Sequence, residues 1–328
     1  MIYSKTIFCT YFDKNYLLKG LCLLSSFFKY HPQCKFWVLC FDDYTLKIIK
    51  KLKIKGVVPI ALADFEKDDP QLLVAKKSRS QVEYCWTATP CLPLYIFRRN
   101  MEIQKVVYLD ADLFFYSKID SAFEELGEKS IFTVEHRFSS GQKYRILTSG
   151  RFNVGFQIYR NNQESVACLG RWRKQCLAWC FKQLKEGKYG DQIYLDDWPK
   201  LYPNLVISQN LGIDAAPWNI HQYRLSKRDG KIYINSNELI CYHFHQFEIL
   251  GEDRFEYCFG HHLSNWVKKY IYEPYIKEIK KQILLWKKID KDFKVVVSRK
   301  SNTKRLKEKL IRLFGPIYWQ AMTAVKFR

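Results

Sequence analysis

The chain has 328 residues, 48% of them hydrophobic and 16% aromatic, enough to bury a large core and to exclude a disordered or fibrous class. Its formal net charge is +21, but 13 of those excess charges lie in the last 61 residues, where 18 Lys and Arg stand against 5 Asp and Glu. The eleven cysteines form no CxxC pair, and Cys176 with Cys180 at i and i+4 lacks metal-site spacing. Buried free thiols in a reducing compartment are the expectation.

In chain order, TIFCTYF at 6–12 predicts a strand and 15–31 a helix. KFWVLCF at 35–41 predicts a second strand, TLKIIKKLKI a short helix and VVPIAL a third strand. Residues 80–97 predict helix broken by Pro90 and Pro93, and VVYL predicts the next strand. Strands alternating with helices indicate an α/β sheet with parallel order, which binds ligands at the carboxyl ends of its strands. The opening MIYSKTIFCTYFDKNY carries no apolar leader, and LLKGLCLLSSFF at 17–28 contains Lys19 and is too short to span a bilayer. A cytoplasmic, non-integral protein is expected.

The segment VVYLDADLFFY at 106–116 sets Asp110 and Asp112 between apolar runs, where hiding a charge would cost several kcal/mol. If the strand stops at Leu109, period-two geometry sends both carboxylates to the same side as the chain leaves the sheet. Two carboxylates there can hold Mg²⁺ or Mn²⁺ and through it a diphosphate. The plain alternative is a surface turn with two solvated acids.

VVYLDADLFFY resembles the metal-binding D-x-D segment of nucleotide-sugar-dependent glycosyltransferases with the A-type (GT-A) fold. The likeness is strongest to bacterial lipopolysaccharide galactosyl- and glucosyltransferases and glycogenin, and it runs from about residue 5 to 247 in the family's order. In TYFDKNYLLKGLCLLSSF it implies Thr10, Tyr11, Asp13 and Tyr16 around base and ribose. RFNVGFQIYRN at 151–161 resembles the family's F-N-x-G segment, with Asn153 facing sugar hydroxyls and a glycine that permits close backbone approach. KYGDQIYLDDWPKLYP at 188–203 resembles the D-Q motif and implies Asp191 and Gln192 as sugar-contacting or catalytic, with Asp196 and Asp197 read as capping or solvated. In ELICYHFHQFEIL at 238–250 the resemblance implies His243 as third metal ligand, with His245 the alternative two residues on. Two features depart from the family. WTATPCLPLYIF offers no basic residue for the donor phosphates, so Arg79 or Lys76 substitutes, and the H-x-x-G-x-x-K-P-W ending is missing.

The resemblance implies a GT-A domain over 1–262, a mixed sheet flanked by helices, and the charge and apolar pattern beyond it predict a basic amphipathic helical tail over 263–328. It implies a hexosyltransferase using Mn²⁺ or Mg²⁺ to move sugar from a nucleotide-diphosphate donor, a UDP-sugar, to a saccharide or lipid-linked acceptor in cell-surface polysaccharide or lipopolysaccharide synthesis. The D-x-D with a late histidine resembles the retaining branch. The tail, with Trp286, Leu306, Leu310, Leu313, Phe314, Tyr318 and Trp319 among its basic residues, suits the anionic inner face of a membrane. No nucleic-acid partner is expected. The competing readings are a non-enzymatic basic nucleic-acid- or membrane-binding protein and a nucleotidyltransferase. The last needs a glycine-rich phosphate loop, whereas 6–20 holds only Gly20.

Overall fold

Apolar runs bounded by turn residues make the central strands: β1 (Thr6–Phe12), β2 (Lys35–Cys40), β3 (Val57–Ala61), β4 (Lys105–Leu109), β5 (Leu113–Phe115), β6 (Ile131–Glu135), β7 (Phe152–Arg160) and β8 (Leu205–Ile207). The structure is a computed structural model that describes residues 3–258, 261–291 and 293–295. All of these strands except β5 form one seven-stranded sheet in the order β3-β2-β1-β4-β7-β6-β8. The first four are parallel, as the alternation with helices predicts, while β7 runs antiparallel to β4 and to β6. The sheet is therefore mixed. β1 and β4 are buried along nearly their whole length, as central strands covered on both faces must be. Pro59 is tolerated in β3 because that strand lies at the sheet edge.

Helices Leu17–Tyr30, Asp43–Leu52, Cys91–Arg99 and Gln163–Ala178 pack along the sheet and on one another. A capping box at Ser80 and Glu83 starts helix Gln81–Ala88, and a break falls at Thr89–Pro90, but Pro93 does not break the chain again: it stands in the first turn of helix Cys91–Arg99, where a missing N–H is tolerated. Three short antiparallel strands, β9 (Leu225–Arg228), β10 (Lys231–Ile234) and β11 (Asn237–Glu238), precede β12 (Cys241–His243), which pairs with β5 outside the main sheet. All eleven cysteines are free thiols, ten of them buried and Cys85 half-buried.

The chain divides into two compact units, one through His243 and one from Phe244 onward; the expected boundary after residue 262 falls within the second. That unit contains β13 (Glu248–Ile249), β14 (Phe255–Glu256) and helix Glu273–Ile289, which buries Tyr275, Ile279, Ile283 and Trp286. The expectation that Trp286 enters a membrane interface is corrected here. Its spacing from Ile279 and Ile283 places it on the stripe that packs inward, and it stacks on Phe293 with centroids 3.8 Å apart. The outer face instead shows Leu284, 63% exposed, and Leu285, 42% exposed, with Lys277, Lys280, Lys281 and Lys288 around them. No helix among the described residues is long and apolar enough to cross a membrane. Leu306, Leu310, Leu313, Phe314, Tyr318 and Trp319 lie outside the described residues.

Candidate active site

β4 stops at Leu109, and the backbone then turns tightly. Asp110 donates its N–H to the Gly155 carbonyl (2.9 Å) and accepts from Leu113 N–H (3.1 Å). The chain continues as β5, and antiparallel pairing sets His243 of β12 opposite Leu113. Three residues far apart in sequence thus converge: ligand atoms of Asp110, Asp112 and His243 all lie within 4.8 Å of one another. His243 Nε2 is 3.1 Å from Asp112 Oδ1 and 3.8 Å from Asp110 Oδ2. The other ring nitrogen, Nδ1, lies 3.0 Å from Asp214 Oδ1. A carboxylate only accepts, so Nδ1–H donates to Asp214, while Nε2 faces the Asp110 and Asp112 carboxylates and is a cation ligand only when it has lost its proton.

The surroundings fix this arrangement. Asp214 is fully buried with a left-handed backbone, φ 55°, and Arg137 holds its loop by donating to the carbonyls of Asn210 (3.0 Å), Ile213 and Asp214 (3.2 Å). His243 donates its own backbone N–H to Ala215 (2.7 Å), and the Trp218 ring meets the imidazole edge-on at 5.2 Å. Tyr108 donates its hydroxyl to Asp110 Oδ1 at 2.8 Å. Burial raises Asp110 to about 6, with the His243 charge opposing and the Asp112 charge adding to the rise. Burial alone would lower His243, but Asp112 and Asp214 hold it well above the ordinary imidazole range. The carboxylates thus attract positive charge to this point. Two carboxylates and one imidazole are a donor set that fits a divalent cation such as Mn²⁺ or Mg²⁺, which would displace the proton from Nε2.

Tyr11 lies between this cluster and Thr89: its hydroxyl is 3.0 Å from Thr89 Oγ1 and its ring sits 5.8 Å from that of Tyr108. Asp191 is buried, receives the Trp172 indole N–H on its backbone carbonyl (2.9 Å) and keeps Oδ2 without a hydrogen bond. Burial raises its carboxyl to about 7, against the opposing effect of Thr89.

The remaining expected residues are placed more variously. Asn153 is buried; its Oδ1 accepts from Gly155 N–H (2.7 Å), and its Nδ2 donates to His136 Nε2 (3.2 Å). The nearness of Gly155 to His243 is why that position has no side chain: a Cβ would sit 2.9 Å from Nδ1. Asp13 caps the turn into helix Leu17–Tyr30 through the N–H groups of Asn15 and Tyr16. Tyr16 is 45% exposed, and Thr10 is buried in β1 with its hydroxyl unpaired. Gln192 is half-buried beside Asp191. Arg79 is committed elsewhere, donating to Leu177 O (3.3 Å) and lying over the Phe181 ring at 3.7 Å. Lys76 pairs with Glu66 at 2.7 Å. Asp196 accepts from Arg151 N–H (2.7 Å) and Asp197 pairs with Arg171 (3.1 Å). His245 is exposed and is not in the three-residue cluster. Sequence reasoning missed Asp214, Tyr108 and Thr89, and it noticed Lys19 only as a charge in an apolar stretch.

No protein-family model matches the chain. Among solved structures it is similar to the galactosyltransferase LgtC in complex with donor and acceptor sugar analogues, with 16% identity, a TM-score of 0.46 and coverage of 64% of this chain and 76% of that one. It is also similar to mouse xyloside xylosyltransferase 1, with 15% identity, a TM-score of 0.44 and coverage of 64% and 87%. Two proteins of Bacillus subtilis (strain 168) are related in sequence. Uncharacterized protein YfnD is 29% identical over 279 residues, 84% of this chain and 89% of the relative. Uncharacterized protein YfnF is 30% identical over 306 residues, and with 90% of this chain aligned to 98% of that relative, the chain belongs to the family of YfnF.

Proposed function

We propose that the chain is a metal-dependent glycosyltransferase of the GT-A class, moving a hexose from a nucleoside-diphosphate donor, a UDP-sugar, to a saccharide or lipid-linked acceptor of cell-surface polysaccharide or lipopolysaccharide, with retention. The observation that carries this reading is the convergence of Asp110, Asp112 and His243 where β4 leaves the sheet, the end at which α/β sheets bind ligands. These three side chains hold the cation, Mn²⁺ or Mg²⁺. So bound, it acts as Lewis acid and template and offsets charge on the departing nucleoside diphosphate. Thr10, Tyr11, Asp13 and Tyr16 border base and ribose, and Asn153, Asp191 and Gln192 border the sugar. Asp191, with its carboxyl near 7, exists in both protonation states at neutral pH and can take or give a proton where the acceptor hydroxyl reacts. The exposed leucines and lysines of helix Glu273–Ile289 support peripheral attachment to an anionic membrane surface on the cytoplasmic side.

A thermal-shift screen of UDP-, GDP- and CMP-sugars with and without Mn²⁺ tests the donor class, since a ligand of the native state raises the melting temperature. Asp110→Asn and Asp112→Asn are each expected to lower turnover by more than about 100-fold, the upper end for a residue that merely supports a ligand. Near-normal turnover in a folded double variant would sink the assignment.

A further inference from the structure

Lys19 interrupts an apolar helix, LLKGLCLLSSFFKY, and is only 7% exposed. A lysine so placed is expensive unless something anionic matches it. Two contacts hold this helix against the site. Gly20 lets it press on β1, because a Cβ there would meet the Phe12 ring at 2.4 Å. Ser26, seven residues after Lys19 and so on the same helix face, accepts Phe115 N–H from β5 at 3.1 Å. The face carrying Lys19 is thereby turned toward the segment Asp112–Phe115.

The Lys19 ammonium lies 3.7 Å from Asp112 Oδ2 and 4.4 Å from the centre of the Tyr16 ring. The first distance is an ion pair longer than a hydrogen bond, and no hydrogen bond of this ammonium to another group is seen among the described residues. One proposed cation ligand and one proposed nucleotide-side residue therefore flank a buried ammonium that has three donors to offer an acceptor. Arg79 and Lys76, the basic residues expected to serve the donor phosphates, are engaged with Phe181 and Glu66.

We infer that Lys19 binds the diphosphate of the donor, supplying from the first helix the positive charge that is absent from the segment before the D-x-D. The inference rests on the transferase reading and deepens it. Its chemistry is specific. A lysine beside Asp112 repels a bare divalent cation but attracts the oxygens of a diphosphate that shares that cation. Removing it should then push the two affinities in opposite directions.

Calorimetric titration with Mn²⁺ alone, and with UDP, GDP and CDP in the presence of Mn²⁺, tests this on full-length protein. Lys19→Met is expected to bind Mn²⁺ alone as well as or better than the unaltered chain, which also shows that it is folded. It is expected to lose about 10- to 100-fold in affinity for the nucleoside diphosphate, the worth of one charge-assisted contact, with Lys19→Gln behaving alike. Undiminished diphosphate binding by both variants overturns the inference and leaves the transferase reading intact. Loss of Mn²⁺ itself by both variants at unchanged melting temperature overturns it too, by making Lys19 a support of the cation ligands. Failure of the unaltered protein to bind any of the three diphosphates with Mn²⁺ overturns the transferase reading and the inference together.

Discussion

Gly155→Ala asks whether the position of His243 depends on a missing methyl group. The φ of Gly155 is outside the left-handed region, so alanine meets no backbone penalty and the whole effect is crowding. The added carbon would lie 2.7 Å from Asn153 Oδ1, 2.9 Å from His243 Nδ1 and 3.0 Å from His243 Cε1. Neither neighbour is the loose end of a flexible side chain. The imidazole is bounded by Asp112, Asp214 and Trp218, and Asn153 is tied to the Gly155 N–H and to His136. Relief must stretch one of those hydrogen bonds, at the cost of about 1–3 kcal/mol usual for overpacking. A displaced imidazole should also weaken Mn²⁺ binding about 10- to 100-fold. Gly170 is the control: it lies in helix Gln163–Ala178 with nothing within 4 Å of its would-be Cβ, so Gly170→Ala should stabilise by about 0.5–1 kcal/mol. Urea unfolding and Mn²⁺ titration read both variants. If Gly155→Ala matched the unaltered protein in stability and Mn²⁺ affinity while Gly170→Ala behaved as expected, the packing argument would be refuted.

Asp214→Ala should lower Mn²⁺ affinity about 10- to 100-fold, and Asp214→Asn less, because asparagine still accepts from Nδ1–H; equal affinity in all three proteins would remove Asp214 from the site. For Asp191, the folded carboxyl near 7 stands above its ordinary value of 3.8, so between about pH 4 and 7 the unfolded chain binds fewer protons and this group's contribution to stability falls as pH rises. Asp191→Asn should therefore gain on the unaltered protein across that window, by up to a few kcal/mol at pH 7, and a stability difference independent of pH would contradict the burial of Asp191 as a charge. For the second unit, Leu284→Glu with Leu285→Glu should weaken sedimentation with anionic liposomes while leaving the melting temperature unchanged, since both residues are on the outer face. Liposome binding that is indifferent to these changes and to salt would assign the basic region another role.

What the sequence discloses and what it withholds divide along local and non-local lines. β1 and β4 are legible to within a residue because each is a short apolar run ended by turn residues. The placement of Asp110 and Asp112 follows at once, since it needs only the end of one strand. His243 is legible through motif order, and its register against Leu113 explains why it, rather than the exposed His245, meets the acids. The direction of β7 is not legible: FNVGFQIYR has the same pattern whether it runs with β4 or against it. Trp286 shows the same limit from the other side, because spacing on an amphipathic helix describes equally a face against a membrane and a face against Phe293.

The groups that tune the cluster are the least legible of all. Asp214 sits in GIDAAPWN without periodicity, and its partner is assigned only when Arg137 folds the loop back over β12. Lys19 looks like a defect in a hydrophobic helix until β1 and β4 lie side by side and bring Asp112 under it. Ligands that grip an ion must be close in space and can be close in sequence. The charges that set how strongly they grip act through a low-dielectric interior over longer reach, and any element can bring them in. Variation at Lys19 and Asp214 should then alter the strength of cation and diphosphate binding while the D-x-D and His243 stay unchanged, and a signature built on those three residues alone would not detect it.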